Sequence, residues 1–200
     1  MKYLLLLLSS LIINTSSAQR LRPFVYFYKD SFCGIYSEIY EQPIWVSYSV
    51  DCTRGKFSRK GMRFKTDYWI YTSDNNDYTY NIWDKGHLVP AENFSCSKKD
   101  MMQTFTYLNC ALQHEGLNRG KWKSLENLER RIAERECTPI YVEVDVHFSR
   151  HWRRLPSGAK VPSGFTKHII VPGRYTKCFY FPNYPARKSL NYYIINCRKH

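Results

Sequence analysis

Short apolar and aromatic runs, separated by Gly and Pro clusters, recur along most of the chain. Runs rich in Tyr, Val, Ile and Phe with turn residues at their ends are typical of β-strands. The segments with this pattern are 24–28, 44–50, 68–71, 104–112, 140–146, 168–171, 178–181 and 192–195. No internal repeat or low-complexity segment interrupts them. The pattern therefore predicts a single α+β domain with a mixed or antiparallel β-sheet core.

The segment 118–136 has a different pattern and predicts the one long helix. Lys, Leu, Glu, Arg and Ala dominate it, and Pro is absent until Pro139. Leu125, Leu128 and Ile132 lie three and four positions apart, which predicts one buried stripe. Residues 97–102 could add one further helical turn.

A second row on this predicted helix has two interpretations. Asn118, Trp122, Glu126 and Arg130 follow one another at steps of four, so they lie along one side of the helix. In one interpretation, Asn118 is a helix N-cap and Glu126 forms an ordinary surface ion pair with Arg130. In the other, the Asn118 amide oxygen and the Glu126 carboxylate share a hydrated cation. Magnesium suits such a site because it needs only one or two protein oxygens.

The first 18 residues predict a secretory signal peptide. Lys2 gives a positive start, residues 4–13 form an apolar core, and residues 16–18 provide a small-residue cleavage site. The apolar core is too short to span a membrane. We therefore expect a secreted protein without a membrane span, extracellular or periplasmic according to the host, whose single domain covers residues 19–200.

Seven cysteines follow this segment, at positions 33, 52, 96, 110, 137, 178 and 197. Export favours disulfide bonds, and the spacings contain no Cys-x-x-Cys pair typical of a zinc or redox site. Because seven is an odd number, at least one thiol should be free or intermolecular. Cys110 is the candidate, because it lies in a predicted core strand.

The charge balance is strongly basic. The formal net charge is +13 at pH 7, and loss of Lys2 with the signal peptide lowers it by only one. Such a balance favours a polyanionic partner, with nucleic acid preferred over anionic membrane surfaces or acidic glycans.

His87 is the first candidate for chemistry. It follows Asp-Lys-Gly at 84–86 and precedes Pro90, which places it on a short extended segment or turn. A lone histidine in such a place is most often a surface side chain. Histidine also titrates near neutrality and commonly takes a proton from water. With Asn118 and Glu126, it would complete a one-metal phosphodiesterase site.

Three ordered motifs resemble the DNA/RNA non-specific endonuclease family, secreted sugar-non-specific nucleases with a ββα-metal active site. Residues 84–87, Asp-Lys-Gly-His, are similar to the family's Asp-Arg-Gly-His box, and residues 104–113 to its Asn-centred strand. Residues 117–126 are similar to its metal helix, Leu-Asn-Gln-Gly-x-Trp-x-x-Leu-Glu. Residues 161–167 also resemble its Val-Pro-x-x-Phe-x-Lys strand. The resemblance covers residues 44–171.

This resemblance implies a role for each matched residue. His87 would be the general base that activates water for attack on phosphorus. Asn118 would be the direct protein ligand of one Mg²⁺, with Mn²⁺ as an alternative cation. Glu126 would hold a water bound to that metal. Arg130 would face the phosphate, and Asn109 would orient the site.

Two basic residues depart from the family pattern. Lys85 stands where the family has Arg, so a point charge replaces a planar fork and we expect reduced or retuned activity rather than its loss. Arg63 lies one position from the place of the family's upstream Arg. A one-residue offset on a strand turns a side chain to the opposite face. Arg63 is a further candidate for phosphate contact despite that offset.

The resemblance implies a secreted, Mg²⁺-dependent endonuclease that hydrolyses DNA and RNA with little sequence specificity and leaves 5′-phosphates. The alternative is a catalytically weakened nuclease-like fold that only binds nucleic acid or other polyanions. A basic secreted structural or toxin-like protein would explain the charge and the cysteines, but not the ordered motifs. The presence of His87, Asn118 and Glu126 favours the enzyme.

Overall fold

The computed structural model describes residues 20–51, 55–151 and 153–197. The predicted signal peptide, residues 1–18, lies outside these ranges. The helices are α1 (Lys98–Gln103) and α2 (Lys123–Glu136). The strands are β1 (Val25–Tyr28), β2 (Phe32–Ser37), β3 (Gln42–Val50), β4 (Trp83–His87), β5 (Cys110–His114), β6 (Ile140–His147), β7 (Gly164–Val171), β8 (Tyr175–Pro182) and β9 (Ile194–Ile195).

Seven strands form one antiparallel sheet in the order β1-β2-β3-β6-β7-β8-β9. Burial alternates along β6. Val142 and Val144 are fully buried, whereas Tyr141, which directly precedes Val142, is exposed. Such alternation gives a sheet one apolar face, which must be covered. Helix α2 covers it against β3 and β6, with Leu125 fully buried in the interface. The α+β prediction with an antiparallel sheet core and one long helix is confirmed.

The remaining two strands form a separate two-stranded sheet that carries the predicted histidine. Strands β4 and β5 are antiparallel, with His87 opposite Cys110. Gly86 is required here because a Cβ at its position would approach the Gln113 Cβ to 2.5 Å. After β5 the chain enters α2, so two strands and a helix form the expected ββα unit.

The predicted helix 118–136 exists, but it begins earlier and is composed of two segments. Leu117–Trp122 forms π-helical turns, and the backbone departs from helical geometry at Gly120, with φ −103° and ψ −108°. Helix α2 continues from there. Asn118 lies inside the first segment, so the interpretation of Asn118 as an N-cap is wrong. The short helix near 97–102 is α1, whose Asp100 N–H donates to Ser97 Oγ at 3.2 Å.

Three strand predictions need correction. Residues 68–71 form a loop, because the Asp67 carboxylate accepts the N–H groups of Trp69 and Ile70 and so competes with sheet pairing. Within 104–112, a 3₁₀ turn at Tyr107–Asn109 precedes β5. Within 192–195, only β9 is extended, and it follows the 3₁₀ turn Leu190–Tyr193. The alternation pattern did not identify β2.

Cys178 and Cys197 form a disulfide bond, and Cys96 is also disulfide-bonded. Cys33, Cys110 and Cys137 are free thiols. Cys110 is fully buried in β5, so the prediction that it is a free cysteine is confirmed. Within the described ranges, no helix combines the length and the apolar character that a bilayer crossing requires.

Candidate active site

The ββα unit borders a cavity of about 990 Å³. Five of the predicted site residues line it together: Lys85, His87, Asn118, Glu126 and Arg130. Its wall also contains further charged residues, Arg59, Lys60, Arg119 and Lys123 with Asp84 and Glu92. Basic residues therefore outnumber acidic ones by six to three, which favours a polyanionic ligand.

His87 ends β4 and packs against two aromatic rings. Its ring centroid is 4.7 Å from that of Phe64 and 4.9 Å from that of Phe105. Nε2 is buried and has no hydrogen-bond partner in the described part of the chain. Burial, together with the positive charge of Arg59, lowers the pKa of His87 to about 3. The side chain is therefore neutral at pH 7 and can accept a proton, and the surface-histidine interpretation is wrong.

Trp122, directly before α2, links the start of this helix to the end of β4. Its indole N–H donates to the His87 carbonyl oxygen at 3.1 Å. Trp122 is fully buried, and its ring packs 5.4 Å from Phe165 of β7. This packing holds the backbone at His87 against both the helix and the main sheet.

Asp84 orients the amide group of Asn118. The Asn118 Nδ2 donates to Asp84 Oδ2 at 2.9 Å, and Arg119 donates to both oxygens of the same carboxylate at 2.9 and 2.7 Å. An ionised carboxylate only accepts hydrogen bonds, so the NH₂ group of Asn118 must face it. The amide oxygen of Asn118 is consequently left for another partner.

Glu126 is half-buried on the cavity wall. Burial raises its pKa to about 7, although the positive charges of Lys167 and Arg130 act in the opposite direction. A cation next to this carboxyl group would favour its charged form and lower its pKa again. Glu126 is thus suited to sit close to a bound cation.

Arg130 belongs to a buried polar network rather than to a simple surface pair. Arg130 donates to Asn93 Oδ1 at 2.7 Å, and Asn93 donates to Glu129 Oε2 at 2.9 Å. Lys167 donates to Glu129 Oε1 at 2.7 Å, and Tyr48 donates to Oε2 at 2.9 Å. The interpretation of Arg130 as the surface partner of Glu126 is therefore wrong, since its guanidinium group is fixed through Asn93.

Lys85 reaches the cavity between aromatic side chains. Its ammonium group lies 5.6 Å from the ring centroid of Tyr107, 5.9 Å from Tyr78 and 6.0 Å from Phe64. It donates to Asn75 Oδ1 at 2.6 Å. These contacts hold a point charge in place, where a flexible lysine would otherwise sample many positions.

Two predicted site residues do not line the cavity. Asn109 is fully buried and bonds both the N–H and the C=O of Val89, at 2.8 and 3.0 Å. It therefore fixes the segment after His87. Arg63 is exposed and is not part of the cavity wall, although its neighbours Met62 and Phe64 line the cavity.

A model of the DNA/RNA non-specific endonuclease family matches residues 12–199, nearly the whole chain. The chain belongs to the DNA/RNA non-specific endonuclease family. This membership agrees with the family resemblance of the three motifs and with the ββα unit that carries them.

Relatives of this endonuclease family member include mitochondrial proteins. Nuclease EXOG of Danio rerio is 31% identical over 50% of this chain and 31% of its own length. Endonuclease G of Caenorhabditis elegans is 28% identical over 68% of this chain and 46% of its own length. The mitochondrial nuclease of Saccharomyces cerevisiae is 26% identical over 72% of this chain and 49% of its own length. The chain thus spans less than half the length of these curated relatives.

The fold is also similar to that of a solved endonuclease. The matching chain in the crystal structure of an EndoG/EndoGI complex superposes with a TM-score of 0.75 and is 21% identical in sequence. The superposition covers 86% of this chain and 80% of that chain. That likeness supports the α+β architecture with its ββα unit.

The candidate site fits the metal dependence of the DNA/RNA non-specific endonuclease family. In the described ranges, no group of three His, Cys, Asp or Glu side chains is placed to hold a metal ion. The donors here are the Asn118 amide oxygen, turned away from Asp84, and the Glu126 carboxyl group. Mg²⁺ accepts such a set, because it keeps most of its waters and uses few protein oxygens.

Motif spacing did not reveal several residues that contribute to this candidate site. Arg59 lies on a loop without periodicity, and only its place on the cavity wall singles it out. Asp84 was part of the histidine motif, but its contact with Asn118 joins positions far apart in sequence. Glu129 and Lys167 likewise meet only in the folded chain, although the segment containing Lys167 had been matched to the family.

Proposed function

We propose that this protein is a hydrolase, a Mg²⁺-dependent endonuclease that cleaves phosphodiester bonds of DNA and RNA with little sequence specificity and leaves 5′-phosphates. The observation that carries the proposal is the basic cavity that His87, Asn118 and Glu126 line together with Lys85 and Arg130. Family membership supports the same reaction class.

His87 is the general base in this proposal. Its ring is neutral at pH 7 because burial lowers its pKa to about 3, and Phe64 and Phe105 hold it in a fixed orientation. A phosphate anion beside it favours the protonated form, which raises its basicity when substrate is bound. His87 then takes a proton from the attacking water.

Lys85 and Arg130 hold the phosphate that is attacked. Both are positioned before substrate arrives, Lys85 by Asn75 and Arg130 by Asn93. Preorganised positive charge is most valuable where negative charge develops on the phosphoryl oxygens. Contacts of this kind read phosphate rather than bases, so they explain low sequence specificity.

Asn118 is the residue that would hold Mg²⁺, and Glu126, which lines the same cavity, would support it. When bound, the metal ion neutralises charge that develops on the phosphate oxygens. Asp84 keeps the Asn118 amide oxygen available by accepting its NH₂ group. Mn²⁺ could replace Mg²⁺, because both accept oxygen ligands.

The test is digestion of supercoiled plasmid and of total RNA by the purified protein, with Mg²⁺ or with EDTA. We expect both substrates to be cleaved only with the metal, and the product ends to be ligatable without a kinase because they carry 5′-phosphates. Tight binding without cleavage in either Mg²⁺ or Mn²⁺ would instead identify a nuclease-like fold that only binds polyanions.

The proposed route of the protein is secretion. The apolar run at residues 4–13, with Lys2 and no Arg before it, has the form of a secretory signal rather than of an Arg-rich mitochondrial transit peptide. The disulfide bond between Cys178 and Cys197 suits an oxidising compartment. N-terminal sequencing of protein from the culture medium tests this, and a mature chain that starts after Ala18 is expected.

A further inference from the structure

A second cavity, of about 590 Å³, has the opposite charge to the rest of the molecule. It shares no lining residue with the first cavity, and its wall contains neither Lys nor Arg. Four carboxylates line it: Glu41, Asp67, Asp74 and Asp77. In a protein with a net charge of +13, such a concentration of acidic groups indicates a cationic ligand.

Two of these carboxylates are buried without full hydrogen bonding. Glu41 is 8% exposed, and its carboxyl group has no hydrogen-bond partner within the described ranges. Asp77 is 2% exposed; its Oδ2 accepts the Asp74 N–H at 2.8 Å, while its Oδ1 is buried and unpartnered in the same part of the chain. Asp67 differs from them, because it pairs with Lys29. Buried charged groups normally have partners, so Glu41 and Asp77 are the informative ones.

The acidic groups also repel one another. Burial raises the pKa of Glu41 to about 7, and the negative charges of Asp77 and Asp74 act in the same direction. Arg154 is the basic group that opposes this, but its guanidinium group also donates to the backbone carbonyls of Ile39 and Gly158. A cation between the carboxylates would replace this repulsion by attraction.

The shape of the site favours an organic cation over a metal ion. The described residues contain no trio of acidic side chains placed to hold one metal ion. The cavity volume falls in the range of small-molecule sites. Tyr68, Trp69 and Tyr71 also line it, and each side chain is exposed. Aromatic faces beside carboxylates are suited to ammonium groups through cation–π attraction.

We propose that this second cavity binds a small organic polycation of the diamine or polyamine class. Its ammonium groups pair with Glu41, Asp74 and Asp77, which line one cavity but are not among the described groups of side chains placed to hold a metal ion. The alkyl chain and the outer ammonium group lie against Trp69 and Tyr71.

The test is calorimetric titration of the full-length protein with spermidine and with putrescine, in the absence of nucleic acid. We expect binding to the wild type, and an affinity loss of about tenfold or more in Glu41→Gln and in Asp77→Asn, since each removes one charge from a buried pair. The matched control is Asp30→Asn, an exposed carboxylate that pairs with Lys99 and should leave the affinity unchanged.

Three results would overturn the proposal: binding of neither amine to the wild type, equal affinity in all the variants, or binding of Ca²⁺ or of a lysine-rich peptide at this site without binding of free amines. Thermal unfolding without ligand shows that the variants fold. Glu41→Gln should be at least as stable as the wild type, because it removes repulsion. Nuclease activity is not the readout, so this test is independent of the proposed reaction.

Discussion

At His87, the local environment rather than the residue type sets the protonation state. A solvent-exposed histidine titrates near pH 6.5. Here burial against Phe64 and Phe105, together with the positive charge of Arg59, lowers the pKa to about 3. The imidazole is therefore available as a base over the whole neutral range.

We predict that His87→Ala lowers the turnover rate by about 10²- to 10⁴-fold, because that is the usual contribution of a general base. Binding to plasmid DNA should be nearly unchanged, since the charge of the cavity wall remains. Single-turnover cleavage and gel-shift measurements on the same preparation separate the two effects. A variant that cleaves at the wild-type rate would exclude His87 as the base.

Arg59 and Arg63 provide a matched pair for locating phosphate contacts. Arg59 lines the cavity and acts electrostatically on His87 and Glu126, whereas Arg63 lies outside the wall. We predict that Arg59→Ala raises KM or lowers kcat by roughly tenfold, the usual effect of one lost charged hydrogen bond, and that Arg63→Ala changes neither. The reverse order in steady-state kinetics would restore Arg63 as the phosphate contact.

The pKa of Glu41 leads to a pH-dependent stability prediction. The folded-state pKa is raised from 4.5 to about 7, so the folded protein binds more protons than the unfolded chain between these values. The corresponding stability is fully present below pH 4.5 and is lost as pH rises through 7. Glu41→Gln should therefore stabilise the protein at pH 8 and change little at pH 5. Urea unfolding at both pH values checks this, and a gain confined to pH 5 would contradict it.

At the level of elements, α2 is held to the sheet by a buried ion pair as well as by apolar packing. Glu129 and Lys167 are both fully buried, and Lys167 also lies 4.2 Å from the centroid of the Trp122 ring. Through Asn93, the same network orients Arg130 toward the cavity. The helix therefore positions both an apolar stripe and Arg130, one of the candidate site residues.

We predict that Lys167→Met lowers the free energy of unfolding by about 3–5 kcal/mol, because it leaves the Glu129 charge buried without its partner. The double variant Lys167→Met with Glu129→Leu should be less destabilised than the sum of the two single variants. Urea unfolding of all four proteins measures the difference. Strict additivity would mean that the pair contributes no mutual stabilisation.

At the level of the whole molecule, charge is divided between two cavities. The first is basic and belongs to the ββα unit, and the second is acidic and lies beside loop 66–77. A net charge of +13 favours polyanionic partners in general, and in the proposed function the basic cavity is the place where phosphate is held.

We predict that the affinity of the His87→Ala variant for duplex DNA falls linearly with salt on a log–log plot. Adding Lys60→Gln should reduce the slope by about 1, because one phosphate contact is lost. The matched control is Lys188→Gln, an exposed lysine outside the cavity wall, which should leave the slope unchanged. Fluorescence anisotropy at several salt concentrations tests this, and equal slopes for all three proteins would exclude Lys60 from the contact.

The sequence by itself determined the features that depend on neighbouring residues. The helix after position 117, the extended segment ending at His87 and the free thiol of Cys110 all follow from local composition and spacing. The ordered motifs also indicated the family, because His87, Asn118 and Glu126 lie within short runs whose spacing can be recognised in the sequence alone.

Tertiary structure decided everything that depends on side-chain direction and on distant contacts. Arg59 rather than Arg63 lies on the cavity wall, and Asp84 turns the Asn118 amide. The acidic cavity joins Glu41 to Asp74 and Asp77, which are more than thirty positions away. Local pattern contains no signal for these pairings, because burial, orientation and charge proximity arise only when separate segments pack together.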